Sequence, residues 1–157
     1  MISSMLYYTA VNDFSQCPTE GAIGLLTLLI RSGRGAETRL DDALASVGLT
    51  FVKWRALDAL AKSTDGPVSL KCLPHILGCV KSNVTQLVDW MEAEGIARRE
   101  ADPEDRRGTR VALTEAGRDA HRAGREALEG ATRSFFARCD RDEQESLRRL
   151  LRQLEAD

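Results

Sequence analysis

The chain has 157 residues, 43% of them hydrophobic and 29% charged, with only 5% aromatic and a formal net charge of −2. That length suits one domain with extensions, and the apolar fraction supports a core. The charge balance excludes a globally basic coat, so any nucleic-acid contact has to be local.

Residues 1–18 are mixed and aperiodic, with Pro18 as a helix entry, and they lack the basic and apolar regions of a secretory signal. From Thr19 to Val47 the composition is helical, with a broken apolar stripe at Ile23, Leu26, Leu29, Ile30, Leu40, Leu44 and Val47. Gly33 and Gly35 weaken its middle and favour a bend there. The apolar run Ala22 to Ile30 is too short to span a bilayer. Gly48 ends the helix, and Thr50 caps another running to about Lys62. Ser63 to Pro67 form a turn, and Val68 to Leu70 a short extended piece.

Lys71 to Leu77 predict a short helix, in which Pro74 removes a backbone donor. After the turn Gly78-Cys79-Val80, Ser82 is the expected cap of a helix reaching Glu94, with Val84, Leu87, Val88 and Met91 as its apolar stripe. Ile96 to Glu100 and Arg110 to Leu113 predict two strands around a charged loop. Thr114 opens a helix to about Cys139, along which Ala116, Ala120, Ala123, Gly124, Ala127 and Ala131 leave room for a partner helix. Asp142 to Glu155 form the last helix, with Leu147, Leu150, Leu151 and Leu154 on one face.

Two short helices across a tight turn make a helix-turn-helix, and a hairpin directly after it makes a wing. With the apolar stripe facing inward, Ser82, Asn83, Thr85, Gln86 and Asp89 face outward. Residues near the start of such a helix reach base edges in the major groove. Asn83 and Gln86 carry the amide that bonds adenine bidentately, Thr85 meets a base or a phosphate, and Ser82 with the first-turn N–H groups suits a phosphate oxygen. Arg106 and Arg107 sit near the wing tip, where a guanidinium enters a narrow minor groove. The mixture of signs there implies that Asp105 and its acidic neighbours pair with the loop arginines and fix its shape, leaving one guanidinium for DNA.

The stretch SNVTQLVDWMEAEGIARREADPEDRRGTRVALTEAG, residues 82–117, resembles the recognition helix and wing of MarR-type regulators. Its most specific part is the D-x-R-x-x-x-V-x-L-T-x-x-G pattern, matched by Asp105, Arg107, Val111, Leu113, Thr114 and Gly117. The helix order extends the resemblance over nearly the whole chain. It implies a mostly α fold with a small β hairpin: a winged helix-turn-helix at 49–113 between dimerisation helices at 1–48 and 114–157. It also implies a cytoplasmic homodimeric regulator, commonly a repressor. Such a protein binds double-stranded DNA at a pseudo-palindromic operator, with no membrane partner. A small-molecule effector or cysteine oxidation would release it. Arg107 matches the family's minor-groove arginine, whereas Gln86, Trp90 and Pro74 stand where cations and a helix former are usual.

Trp54 and Trp90 are candidates to line an effector cavity. Cys17, Cys72, Cys79 and Cys139 have neither zinc-ribbon nor disulfide-framework spacing and read as free thiols with a redox role open to them. The peroxide-sensing branch of the family places its reactive cysteine where this chain has Leu26, with partner positions at Leu40 and Phe51, so that assignment does not transfer. His75 and His121 lack the neighbours of a metal site, no cofactor motif is present, and no P-loop, G-x-S-x-G, H-E-x-x-H or G-x-G-x-x-G suggests an enzyme. The rival reading is a winged-helix dimer that binds protein and not DNA.

Overall fold

A computed structural model of the chain describes residues 20–64 and 66–155. The chain forms two compact units, residues 1–39 and 40–157. Helix α1, Gly21–Ala45, begins in the first and ends in the second, and its hydrogen bonding runs through Gly33 and Gly35 without interruption. In the first unit its apolar side chains are exposed, Ile23 at 77% and Leu25 at 68%.

The second unit carries the winged module. The end of α1 buries Leu44, and the chain turns at Gly48 so that the Leu49 N–H returns to the Leu44 carbonyl at 3.1 Å. Asp41 accepts from the Phe51 N–H at 2.6 Å, and Thr50 caps α2, Phe51–Ala61, through the Lys53 N–H. Each bond satisfies a donor that the first turn of a helix leaves without a partner.

The expected extended piece is a paired strand. β1, Val68–Ser69, joins β3, Thr109–Leu113, which also pairs with β2, Ala97–Ala101. The sheet is therefore three-stranded and antiparallel, in the order β1-β3-β2. Val111 is fully buried opposite both Val68 and Arg99, so β3 holds the wing to the core through its inward positions.

Helix α3, Leu73–Leu77, starts at Cys72, which places Pro74 in its first turn, where a missing N–H costs nothing. The donor that Pro74 removes is therefore one that the helix leaves without an internal partner. Gly78 closes α3 in the left-handed region at φ 63°, a conformation that L side chains rarely adopt. Helix α4, Lys81–Ala93, then runs with Val84, Val88 and Met91 buried in the same core cluster as Leu57, Leu60, Leu73 and Leu77. Its cap is Val80 and not Ser82. No side chain caps it, and the Ser82 hydroxyl lies 3.5 Å from Asn83 Oδ1 instead.

Thr114 links wing to helix. Its hydroxyl donates to the Gly95 carbonyl at 2.8 Å and accepts the Gly117 N–H at 3.1 Å, capping α5, Glu115–Phe135. A Cβ at Gly117 would overlap the Ile96 carbonyl, which explains the glycine three residues after the cap. Helix α5 ends earlier than its composition predicts, at Phe135, so Cys139 lies in the following loop. Asp140 and Glu143 form a capping box on α6, Arg141–Leu154, none of whose residues is buried.

Candidate nucleic-acid interface

The buried stripe of α4 decides what its other side presents. Val84, Val88 and Met91 are at most 1% exposed, and Ser82, Asn83, Thr85 and Gln86 are all exposed on the opposite side. Thr85 holds its hydroxyl on the Lys81 carbonyl at 3.2 Å. Because α4 begins one residue before the expected cap, Lys81 adds a cation to its first turn. That lysine was passed over in the sequence because Ser82 looked like the boundary.

The wing loop is built differently from the sequence expectation. Asp102 pairs with Arg110 at 3.0 Å, Glu104 lies 3.6 Å from the same nitrogen, and Asp105 pairs with Lys71 at 2.6 Å. None of these acids pairs with Arg106 or Arg107. Asp105 instead accepts the Arg107 backbone N–H at 2.9 Å, and its carbonyl accepts the Gly108 N–H at 2.7 Å, which shapes the tip. Among the described residues, Arg106 and Arg107 are exposed and make no ion pair, so two guanidiniums stand clear where one was expected. Lys71, 34 residues before Asp105, fastens the wing to the segment ahead of α3, a link that no local pattern shows.

The hydrogen bond from Lys71 and the Arg107 N–H hold the Asp105 carboxyl below its ordinary pKa. The Arg110 guanidinium and the Glu104 N–H do the same for Asp102. Both acids are therefore charged at neutral pH and keep the loop closed. A second clamp joins wing and helix. Arg99 on β2 pairs with Asp89 at 2.6 Å and with Glu92, both on α4. Partial burial opposes its charge, and the two carboxylates outweigh that and raise its pKa. The clamp also neutralises Asp89, an acid on the exposed side of α4 that would otherwise repel a phosphate.

Trp54 and Trp90 lie in different surroundings. Trp54 packs between Phe51, 6.2 Å away, and His121, 5.8 Å away, and donates its indole N–H to the His121 carbonyl. Gly124 of α5 abuts the same indole. Trp90 lines a groove of about 490 Å³ together with Asn83, Gln86 and Lys53, and Trp54 is not part of that lining. The Lys53 ammonium sits 3.7 Å from the Trp90 ring centroid, a cation–π contact that brings a positive charge beside α4 from another helix.

Cys72, Cys79 and Cys139 are free thiols, Cys72 and Cys139 exposed and Cys79 half-buried in the turn between α3 and α4. Cys17 lies outside the described residues. His121 bonds Asp58 at 3.1 Å, and His75 is exposed on α3. Among the described residues, no three metal-ligating groups converge.

A sequence model of the MarR family matches residues 47–108, the stretch from the turn before α2 through the wing tip. The HTH-type transcriptional regulator YkoM of Bacillus subtilis strain 168 is 38% identical over 107 residues, 68% of either chain. The chain belongs to the MarR family. The MarR fold is also clear from solved structures. A protein described as a "probable transcriptional regulator" from Pseudomonas aeruginosa superimposes with a TM-score of 0.76 at 28% identity, covering 87% of this chain and 99% of that one. A MarR mutant from E. coli, solved with operator DNA, shares the fold with a TM-score of 0.78 at 20% identity over 84% of this chain and 94% of its own. The chain spans 56% of the length of the HTH-type transcriptional regulator PrsX of Escherichia coli, to which it is 25% identical over 93 residues. No described helix is long and apolar enough to cross a membrane.

Proposed function

We propose that this protein is a homodimeric transcriptional repressor of the cytoplasm, without catalytic activity, that binds a pseudo-palindromic operator and leaves it on binding a small effector or on cysteine oxidation. One observation carries the reading. An exposed polar face on α4, with its opposite face locked in the core, stands in the same module as a wing bearing two unpaired arginines. In this assignment α4 enters the major groove, Asn83 and Gln86 meet base edges, and Thr85 meets a base or a phosphate. Ser82 and Lys81 take phosphates at the start of α4. Arg106 and Arg107 reach the minor groove, where the potential is most negative. Residues 49–113 form the DNA-binding domain, and 1–48 and 114–157 the dimerisation segments. The exposed apolar side chains of α1 and α6 support that division, because a second copy would bury them.

An effector that prefers one spacing of the two recognition helices shifts the population away from the spacing that fits the groove repeat. The thiols of Cys72 and Cys79, at the start of α3 and in the turn before α4, are placed to disturb the same element when oxidised. Footprinting on the DNA upstream of the protein's own gene tests the proposal. Two protected half-sites with centres about one helical turn apart are expected. No protection at any protein concentration would favour a dimer that binds protein and not DNA.

A further inference from the structure

The exposed face of α4 is short of positive charge from its own helix. Lys81 is its single cation, set against Asp89 and Glu92, which Arg99 holds. A helix lying in the major groove has phosphates along its flanks, and cations must come from somewhere to meet them. One comes from α2. The Lys53 ammonium lies 3.7 Å from the centroid of the Trp90 ring and makes no ion pair or hydrogen bond among the described residues. Both side chains are half-buried. An ammonium has three donors, and the face of a ring occupies one side of it. A partly buried cation in that state gains most from an acceptor that brings a negative charge.

The surroundings of the pair indicate which acceptor. Asn83, Gln86 and Trp90 recur at i, i+3 and i+7 along α4, and they line one groove with Lys53 and Thr50 of the neighbouring segment. The ammonium therefore stands beside the two exposed amides assigned to base edges, at the border of their face. Asp89, next to Trp90 in the chain, is already held by Arg99 and does not compete for Lys53.

We propose that Lys53 takes a backbone phosphate of the duplex beside the half-site read by α4, and that Trp90 is the residue that positions it. A free lysine loses rotamer freedom when it docks, and the ring contact removes part of that cost beforehand. A phosphate carries no base information, so Lys53 adds affinity and register and leaves the choice of sequence to Asn83 and Gln86. The proposal rests on the DNA-binding function proposed above.

The test is duplex affinity across a range of salt concentrations for the full-length protein. One duplex comes from upstream of its own gene, and the other has the same length and a shuffled sequence. Lys53→Met keeps an unbranched stem against the ring and removes the charge. It should weaken both duplexes by a similar factor, roughly tenfold, as for losing a charge-assisted bond. The slope of log K against log salt should become shallower by about 0.9 for each subunit engaged. Lys53→Arg should keep the wild-type slope. Trp90→Leu should weaken binding roughly two- to fivefold, the worth of an exposed cation–π contact, and should change nothing further in the Lys53→Met background. An unchanged slope in Lys53→Met, or a loss confined to the upstream duplex, would overturn the phosphate contact. An equal loss from Trp90→Leu in both backgrounds would overturn the positioning role. A wild type that binds neither duplex would overturn the DNA-binding function and this contact with it. A slope that falls when Arg106 and Arg107 are removed, but not when Lys53 is, would overturn the Lys53 contact alone.

Discussion

Arg107 gives its backbone N–H to Asp105 while its guanidinium keeps clear of every acid in the loop, so its position is fixed and its charge unspent. Arg107→Ala should weaken operator binding by about 1–3 kcal/mol, measured by fluorescence anisotropy, with the fold unchanged. Unchanged affinity would remove the wing from the interface. The neighbouring acids predict a pH dependence. Lys71 lowers the pKa of Asp105, and Arg110 lowers that of Asp102. A carboxylate whose pKa is depressed on folding stabilises the folded state above its ordinary value, near 3.9. That contribution disappears as pH falls through the lowered value. In an NMR titration the amides of Arg107 and Gly108 should therefore hold their shifts to below the ordinary aspartate range. Lys71→Ala should return the Asp105 transition towards that range, and an unmoved transition would show that the Lys71 contact does not form in solution. The D-x-R pattern was legible, whereas the Asp105–Arg107 backbone bond was not, because a side-chain ion pair was expected there. The Lys71 tether was not, because a pair 34 residues apart leaves no periodic trace.

At the scale of the element, α4 was readable because its stripe at Val84, Leu87, Val88 and Met91 has helical spacing and lands on the core. Its start was misplaced because serine is so often a cap, whereas here the extended backbone of Val80 begins the helix without a side-chain bond. The cost of the donor that Pro74 removes depends likewise on where the helix begins, and in the first turn it is nil. β1 has only two residues, and its pairing with β3 depends on contacts more than 40 positions away. The Thr114-x-x-Gly117 signature now has a physical basis in a cap and a close approach to the Ile96 carbonyl. Gly117→Ala should lower stability by about 1–3 kcal/mol or more, because the added methyl meets backbone that cannot rotate aside. A thermal melt checks this, and an unchanged Tm would mean that α5 can move away from the wing without cost.

At the scale of the molecule, the exposed apolar surface of the described residues is concentrated on α1 and α6. Leu147, Leu150 and Leu154 are 40%, 52% and 69% exposed on a helix with no buried residue. The composition showed these faces as stripes, but a lone sequence cannot say whether a stripe meets its own core or another chain. Burial now shows that the α6 stripe does not meet the core of its own unit. The double substitution Leu150→Lys and Leu154→Lys should shift the protein from dimer to monomer in light scattering and weaken operator binding with it. A variant that stays dimeric would place the subunit contact elsewhere.

The most direct test of DNA recognition by α4 and the wing is operator affinity measured across a range of salt concentrations, for the wild type and for the double variant Arg106→Ala, Arg107→Ala. Each neutralised phosphate contributes about −0.9 to the slope of log K against log salt. The wild type should show a steep negative slope, and the double variant should bind more weakly with a slope shallower by up to about two such increments. A salt-independent affinity, or one unchanged by losing both arginines, would contradict the account.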